Sequence, residues 1–259
     1  MLVQLTAGAP PPRLLPNARL MDVARLHETN GIQRLGNSVT LGISTAWPAI
    51  IRSTLLGPAA ASLRDAAILM ENMQPGGALL HALTRDQADN PILLALNTLA
   101  GRAQLAIRDQ QGSIIHQTWP LHRALHEPPE QPHLLLAVQL TAPLQHAGSA
   151  LYRESDLSPI RPDARAAAAA VHLAPKTGLL AEVRLSLTFP GQWPVACPAV
   201  AALVGESPKK EAIELAVRLA RRNCLQAQAT FPDYSLVLSP HLIRETLDRA
   251  MARAQALAS

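Results

Sequence analysis

The chain has 259 residues, 48% of them apolar and 16% charged, with 23 basic against 19 acidic side chains. This is a globular composition with room for one large or two modest domains, and it excludes a disordered or collagen-like chain. Aromatics at 3% and charges spread without long runs argue against a nucleic-acid partner. Cys197 and Cys224 form no CxxC set for a cluster or structural zinc.

No apolar run reaches the roughly 20 residues of a membrane span. The opening MLVQLTAGAPPP lacks the basic and long apolar regions of a signal peptide, so the simpler reading is a reduced, cytoplasmic protein. Leu2 to Thr6 reads as a strand, followed by Ala7-Gly8-Ala9 and three prolines, Pro10 to Pro12. Leu20, Met21 and Val23 form a second short strand. Asn30-Gly31 and Gly36-Asn37 are turn dipeptides, because these residues tolerate positive φ, and Ile32 to Arg34 is a strand between them. Val39, Leu41 and Ile43 alternate with Thr40, Gly42 and Ser44, the period-2 pattern of a half-buried strand. Ser44 or Thr45 is placed to cap the helix that follows, with Pro48 in its first turn. Pro58 to Met73 reads as a helix with Leu63, Ala66, Ala67 and Met70 on one face. Gly76-Gly77-Ala78 then lie in a loop, and Pro91 to Leu99 is a short helix with one apolar face. Ala103, Leu105 and Ile107 alternate into a strand that returns through Gln110-Gln111-Gly112 to Ile114-Ile115.

His122 and His126, at i and i+4, share one helical face, a spacing that can bind zinc, although no catalytic Glu lies between them and Pro128-Pro129 end the helix. Leu134 to Leu140 is a strand, and Gln145 to Ser149 reads as a loop and domain boundary. Arg165 to Leu173 is open between helix, which its alanines favour, and strand. Pro175 to Gly178 is a hairpin turn. Val183, Leu185, Leu187 and Phe189 then alternate with polar residues, a strand with one wet face. Glu211 to Asn223 is an amphipathic helix whose Arg218, Arg221 and Arg222 suit a helix C-terminus. Ser239-Pro240 opens a last helix with Leu242, Ile243, Leu247, Ala250, Ala254 and Leu257 as its stripe.

The order LMDVARL, GNSVTLGISTAW and a helix ending IIRS (Leu20 to Ser53), with GSALYR from Gly148 and AVAALVG from Ala199, resembles one family. It is similar to the FAD-binding (medium) subunit of molybdenum hydroxylases, of the xanthine dehydrogenase and aerobic carbon monoxide dehydrogenase type. The resemblance implies an α+β chain: a truncated FAD-binding (PCMH-like) α/β domain over 1–146, then a C-terminal domain over 147–259 of antiparallel sheet plus helices. It makes 165–173 a strand. It implies FAD, approached by backbone at Gly8 and Ala9 in a first loop and Gly76, Gly77 and Ala78 in a second, with Asp89 nearby. Glycine is needed in such loops because a side chain would block the approach of amides to phosphate.

Three departures touch that site. Ala9 stands at the second glycine, before prolines that have no N–H to donate. Ala78 stands where the family has Asn. The segment from Leu121 to Pro128, near the flavin ring in the family, is shortened. The implied partners are a molybdopterin-binding large subunit and a [2Fe–2S] small subunit, and no catalytic or metal-ligating residue is assigned to this chain. The expected function is electron transfer between iron–sulfur clusters and an acceptor through FAD. The alternative is a scaffold or assembly subunit that kept the fold and lost the cofactor.

Overall fold

The structure, a computed structural model, describes residues 2–5, 19–22, 26–84, 90–143, 145–153, 166–188, 193–230 and 239–256. The expectations for Gly8, Ala9, Pro10 to Pro12, Val23, Asp89, Phe189 and Leu257 fall outside them. The chain is α+β and divides into two compact units, each assembled from separate stretches of sequence. The first takes Met1–Leu55, Ala67–Arg85 and Ala100–Thr141, and the second Leu56–Ala66, Asp86–Leu99 and Ala142–Ser259.

In the first unit, β1 (Leu2–Leu5) pairs parallel with β2 (Arg19–Asp22). An antiparallel five-stranded sheet has the order β3-β4-β7-β5-β6, from β3 (Ile32–Leu35), β4 (Ser38–Gly42), β5 (Arg102–Arg108), β6 (Ile114–Pro120) and β7 (His133–Thr141). The alternation read from the sequence holds. Val39 and Leu41 on β4 and Ala103, Leu105 and Ile107 on β5 are buried, as is Ile43 just beyond β4. The cap expected for α1 (Trp47–Arg52) is different: Ala46 is the N-cap, and no side chain caps the helix. Thr45 has another task, its hydroxyl donating to the Gly31 carbonyl at 2.9 Å. The helix α2 (Ala61–Met73), of which Ala61–Ala66 count with the second unit, is preceded by a 3-10 turn over Pro58–Ala60, and Leu63, Ala66, Ala67 and Met70 are buried as expected.

The second unit is a four-stranded antiparallel sheet in the order β11-β10-β9-β8, from β8 (Ala147–Arg153), β9 (Ala166–Leu173), β10 (Leu180–Thr188) and β11 (Val195–Ala196). The alanine run is the strand β9. It pairs with β8 on one side and β10 on the other, so ladder bonds on both edges outweigh the helix propensity of alanine. Residues 147–149, read as loop, belong to β8. Gly148 shows why: a Cβ there would lie 2.2 Å from the Ala250 carbonyl oxygen and 2.5 Å from the Ala254 amide nitrogen. Strand β8 and helix α7 (Pro240–Gln255) approach until backbone meets backbone.

One face of this sheet carries Ala167, Ala169, Val171, Val183, Leu185 and Leu187 against α7 and α6 (Lys210–Thr230). The other face, expected to be wet on β10, is covered by α4 (Pro91–Thr98). Ser186 and Thr188 are buried there, and Asn97 Nδ2 donates to Ser186 Oγ at 3.2 Å. Helix α4 itself has no wet side over Ile92 to Leu96, all fully buried, and Asn90 Oδ1 caps it by accepting from the amides of Ile92 and Leu93. Arg253 on α7 clamps the same unit: its guanidinium donates to both Asp65 oxygens, at 2.7 and 3.1 Å, and to the Ser149 carbonyl at 2.6 Å. Asp65 also accepts from the Leu151 amide at 3.1 Å. Helix α6 continues to Thr230, so Arg218, Arg221 and Arg222 lie in its middle and not at its C-terminal end.

Gly148→Ala is expected to destabilise the chain by about 2 kcal/mol or more in denaturant unfolding, since neither backbone group in its way can rotate aside. A loss below about 0.5 kcal/mol would contradict that packing.

Candidate functional site

Of the six residues expected at a cofactor, Gly76, Gly77 and Ala78 are described. They connect α2 to the short helix α3 (Leu79–Thr84), which the sequence reading did not anticipate. Gln74-Pro75-Gly76-Gly77 has the features of a type II turn: proline then glycine at the centre, φ +75° at Gly76, and the Gly77 amide donating to the Gln74 carbonyl at 3.3 Å. This signal was present in the sequence, and it gives Gly76 a conformational reason to be glycine. Nothing lies within 4 Å of a Cβ built there.

Gly77 is glycine for another reason. A Cβ on it would sit 2.5 Å from Trp47 Nε1 and 3.2 Å from Trp47 Cε2. The Trp47 side chain is fully buried, and its indole N–H has no hydrogen-bond partner among the described residues. The close approach that glycine permits here is to an indole of the same chain.

Beyond the turn, residues 77–80 run alongside 43–47. The Trp47 amide donates to the Gly77 carbonyl at 3.1 Å, the Leu79 amide to Thr45 at 3.0 Å, and the Leu80 amide to Ile43 at 2.8 Å. Ala46 and Ala78 form an antiparallel bridge. The Ala78 amide donates to His81 Nδ1 at 3.0 Å, the reciprocal half of a capping box with imidazole in place of Glu or Gln. The Gly76 amide donates to the Glu71 carboxylate, at 3.2 and 3.4 Å to its two oxygens. Four consecutive amides, Gly76 to Leu79, therefore end on acceptors of the chain itself. A flavin pyrophosphate would need some of these amides and would meet a carboxylate at the first. At this loop the residues present do not fit the cofactor.

His122 and His126 do share a face of α5 (Leu121–His126), with ring centroids 4.6 Å apart and planes tilted by 44°. Among the described residues no group of three or more His, Cys, Asp or Glu is placed to hold a metal. Burial, then the neighbouring His122, holds the His126 imidazole below its ordinary range, with Glu127 opposing. Arg123 lies over the Trp119 ring, 4.5 Å from its centroid.

Two measurements check this geometry. Gly77→Ala is expected to cost roughly 1–3 kcal/mol of stability by overpacking against a buried indole. Gly76→Ala, in open space but at positive φ, is expected to cost about 1 kcal/mol. The reverse order would contradict the packing. In an NMR titration, His126 is expected to protonate at lower pH than a free histidine. Its neutral form is the one the fold favours, so its contribution is present above the free-histidine range and is lost as pH falls through it. A midpoint at or above a free histidine would contradict the geometry.

No protein-family model matches the chain, and no curated protein sequence matches it. Solved structures do. A chain of carbon monoxide dehydrogenase from Hydrogenophaga pseudoflava, in a form lacking the Mo-pyranopterin moiety of the molybdenum cofactor, aligns at 18% identity and TM-score 0.68, over 97% of this chain and 90% of that one. A chain of reconstituted CO dehydrogenase from Oligotropha carboxidovorans aligns at 20% identity and TM-score 0.67, over 92% and 83%. A chain of quinoline 2-oxidoreductase from Pseudomonas putida 86 aligns at 15% identity and TM-score 0.61, over 95% and 81%. The α+β fold expected from the sequence resemblance is the fold found: that of a chain of these oxidoreductases.

Proposed function

We propose that this chain is a homologue of the FAD-binding (medium) subunit of a molybdopterin-dependent dehydrogenase, with the division near 146/147 separating its two parts. The single observation that carries the reading is a likeness in fold extending over 92% to 97% of the chain. Its partners are a molybdopterin-binding large subunit, where substrate is oxidised, and a [2Fe–2S] small subunit, in the cytoplasm. Two roles are open to such a subunit. One is electron transfer to an acceptor through FAD held by Gly8, Ala9, Gly76, Gly77 and Ala78 with Asp89 nearby, and the fold likeness supports it. The other is structural, a scaffold that holds the complex together without flavin, and the engaged amides of Gly76 to Leu79 favour it.

Gentle purification of the tagged chain from its native host, followed by elemental analysis across the elution peak, tests the subunit reading. Molybdenum and iron are expected to co-elute with the chain in a constant ratio. Elution of the chain with neither metal would contradict it. Among the described residues no helix is long and apolar enough to cross a membrane, so detergent is not expected to be required for this step.

A further inference from the structure

The carboxylate on the Gly76 amide is not explained by the helix that carries it. Glu71 lies in the last turn of α2, where the helix dipole disfavours a negative charge, and no basic residue shares that turn. Its observed hydrogen bonds run five residues forward, to the turn. Charge-assisted bonds from an amide to a carboxylate are the kind of contact a phosphate oxygen would make.

The other acceptors are no easier to displace. The Leu79 amide donates to the Thr45 carbonyl within the pairing with 43–47 that includes the Ala46–Ala78 bridge, and the Gly77 amide closes the turn on the Gln74 carbonyl. The buried Trp47 indole holds Gly77 from behind. His81, on the first turn of α3, holds the Ala78 amide. Of the four amides only that of Gly76 is tied to an exposed contact, and that contact is anionic.

We propose that Gly76 to Leu79 is a closed structural turn in which the Glu71 carboxylate occupies the place of a phosphate, so that this loop holds no flavin in this chain. The proposal deepens the medium-subunit reading and rests on it for the comparison with a flavin loop.

The test is assigned amide NMR on the full chain, with FAD as the probe. Excess FAD is expected to leave the Gly76, Gly77, Ala78 and Leu79 resonances in place, whereas saturable shifts of those four would overturn the proposal. Glu71→Ala is expected to speed hydrogen exchange at the Gly76 amide roughly tenfold. Glu71→Gln, which keeps an acceptor oxygen, is expected to leave that exchange close to wild type. Equal exchange in all three proteins would overturn the assignment to Glu71. If the alanine variant does not fold, the FAD titration of the wild type still decides. The two readings fail separately: absence of metal-bearing partners counts against the subunit reading and leaves these amides unaffected, while FAD-induced shifts overturn the closed turn and strengthen the electron-transfer role.

Discussion

An amide withdrawn from water must find an acceptor, and the buried amides of Gly77, Ala78 and Leu79 each find one within their own chain, as does the exposed amide of Gly76 before them. The arrangement depends on Gly77 having no side chain, which lets the Trp47 indole lie against the turn. That contact fixes where residues 77–80 run beside 43–47, and so how the end of β4, the start of α1 and α3 are joined. Among the described residues the indole N–H has no partner, and a buried donor left unsatisfied costs of the order of 1–3 kcal/mol. A segment held this way is a structural joint. The same two glycines that suggest a phosphate loop in sequence serve here as a turn residue and a packing residue.

The second unit is organised by small side chains. Ala166 to Ala169 are buried in β9, and Gly148 in β8 lets α7 touch backbone. Alanine on both faces of the strand leaves room for helices on both: α6 and α7 on one side, α4 on the other. The paired Asp65 and Arg253 then fasten the start of α2 and the end of α7 to β8, with Ser149 and Leu151 as the backbone partners. Because the Arg253 guanidinium reaches both carboxylate oxygens and a carbonyl, lysine could not reproduce the contact.

Much of this was legible in the residues. Alternation placed β4, β5 and β10, turn dipeptides placed Gly31 and Gly36, and the hairpin turn from Pro175 placed Gly178. The order of motifs indicated the fold that the solved structures share. What local pattern could not reveal was which second surface covers a strand. Ser186 and Thr188 look like a wet face until α4, far away in sequence, lies over them. Propensity misleads at β9 for the same reason, since pairing on both edges decides. The loop at Gly76 carried two signals at once. The resemblance implies a ligand for the two glycines, Pro75-Gly76 also indicates a type II turn, and Trp47 behind Gly77 is a contact that only the folded chain makes visible. Glu71 carried no sequence signal, because an acidic residue near the end of an amphipathic helix looks like any solvated side chain.

Whether a chain with this fold carries flavin decides between a structural joint and an electron-transfer site. The most direct measurement is the visible absorbance of the complex purified through this chain, with chromatography of cofactor released on denaturation. Molybdenum and iron without flavin is the expected result, and about one FAD per chain of this subunit would contradict the closed turn.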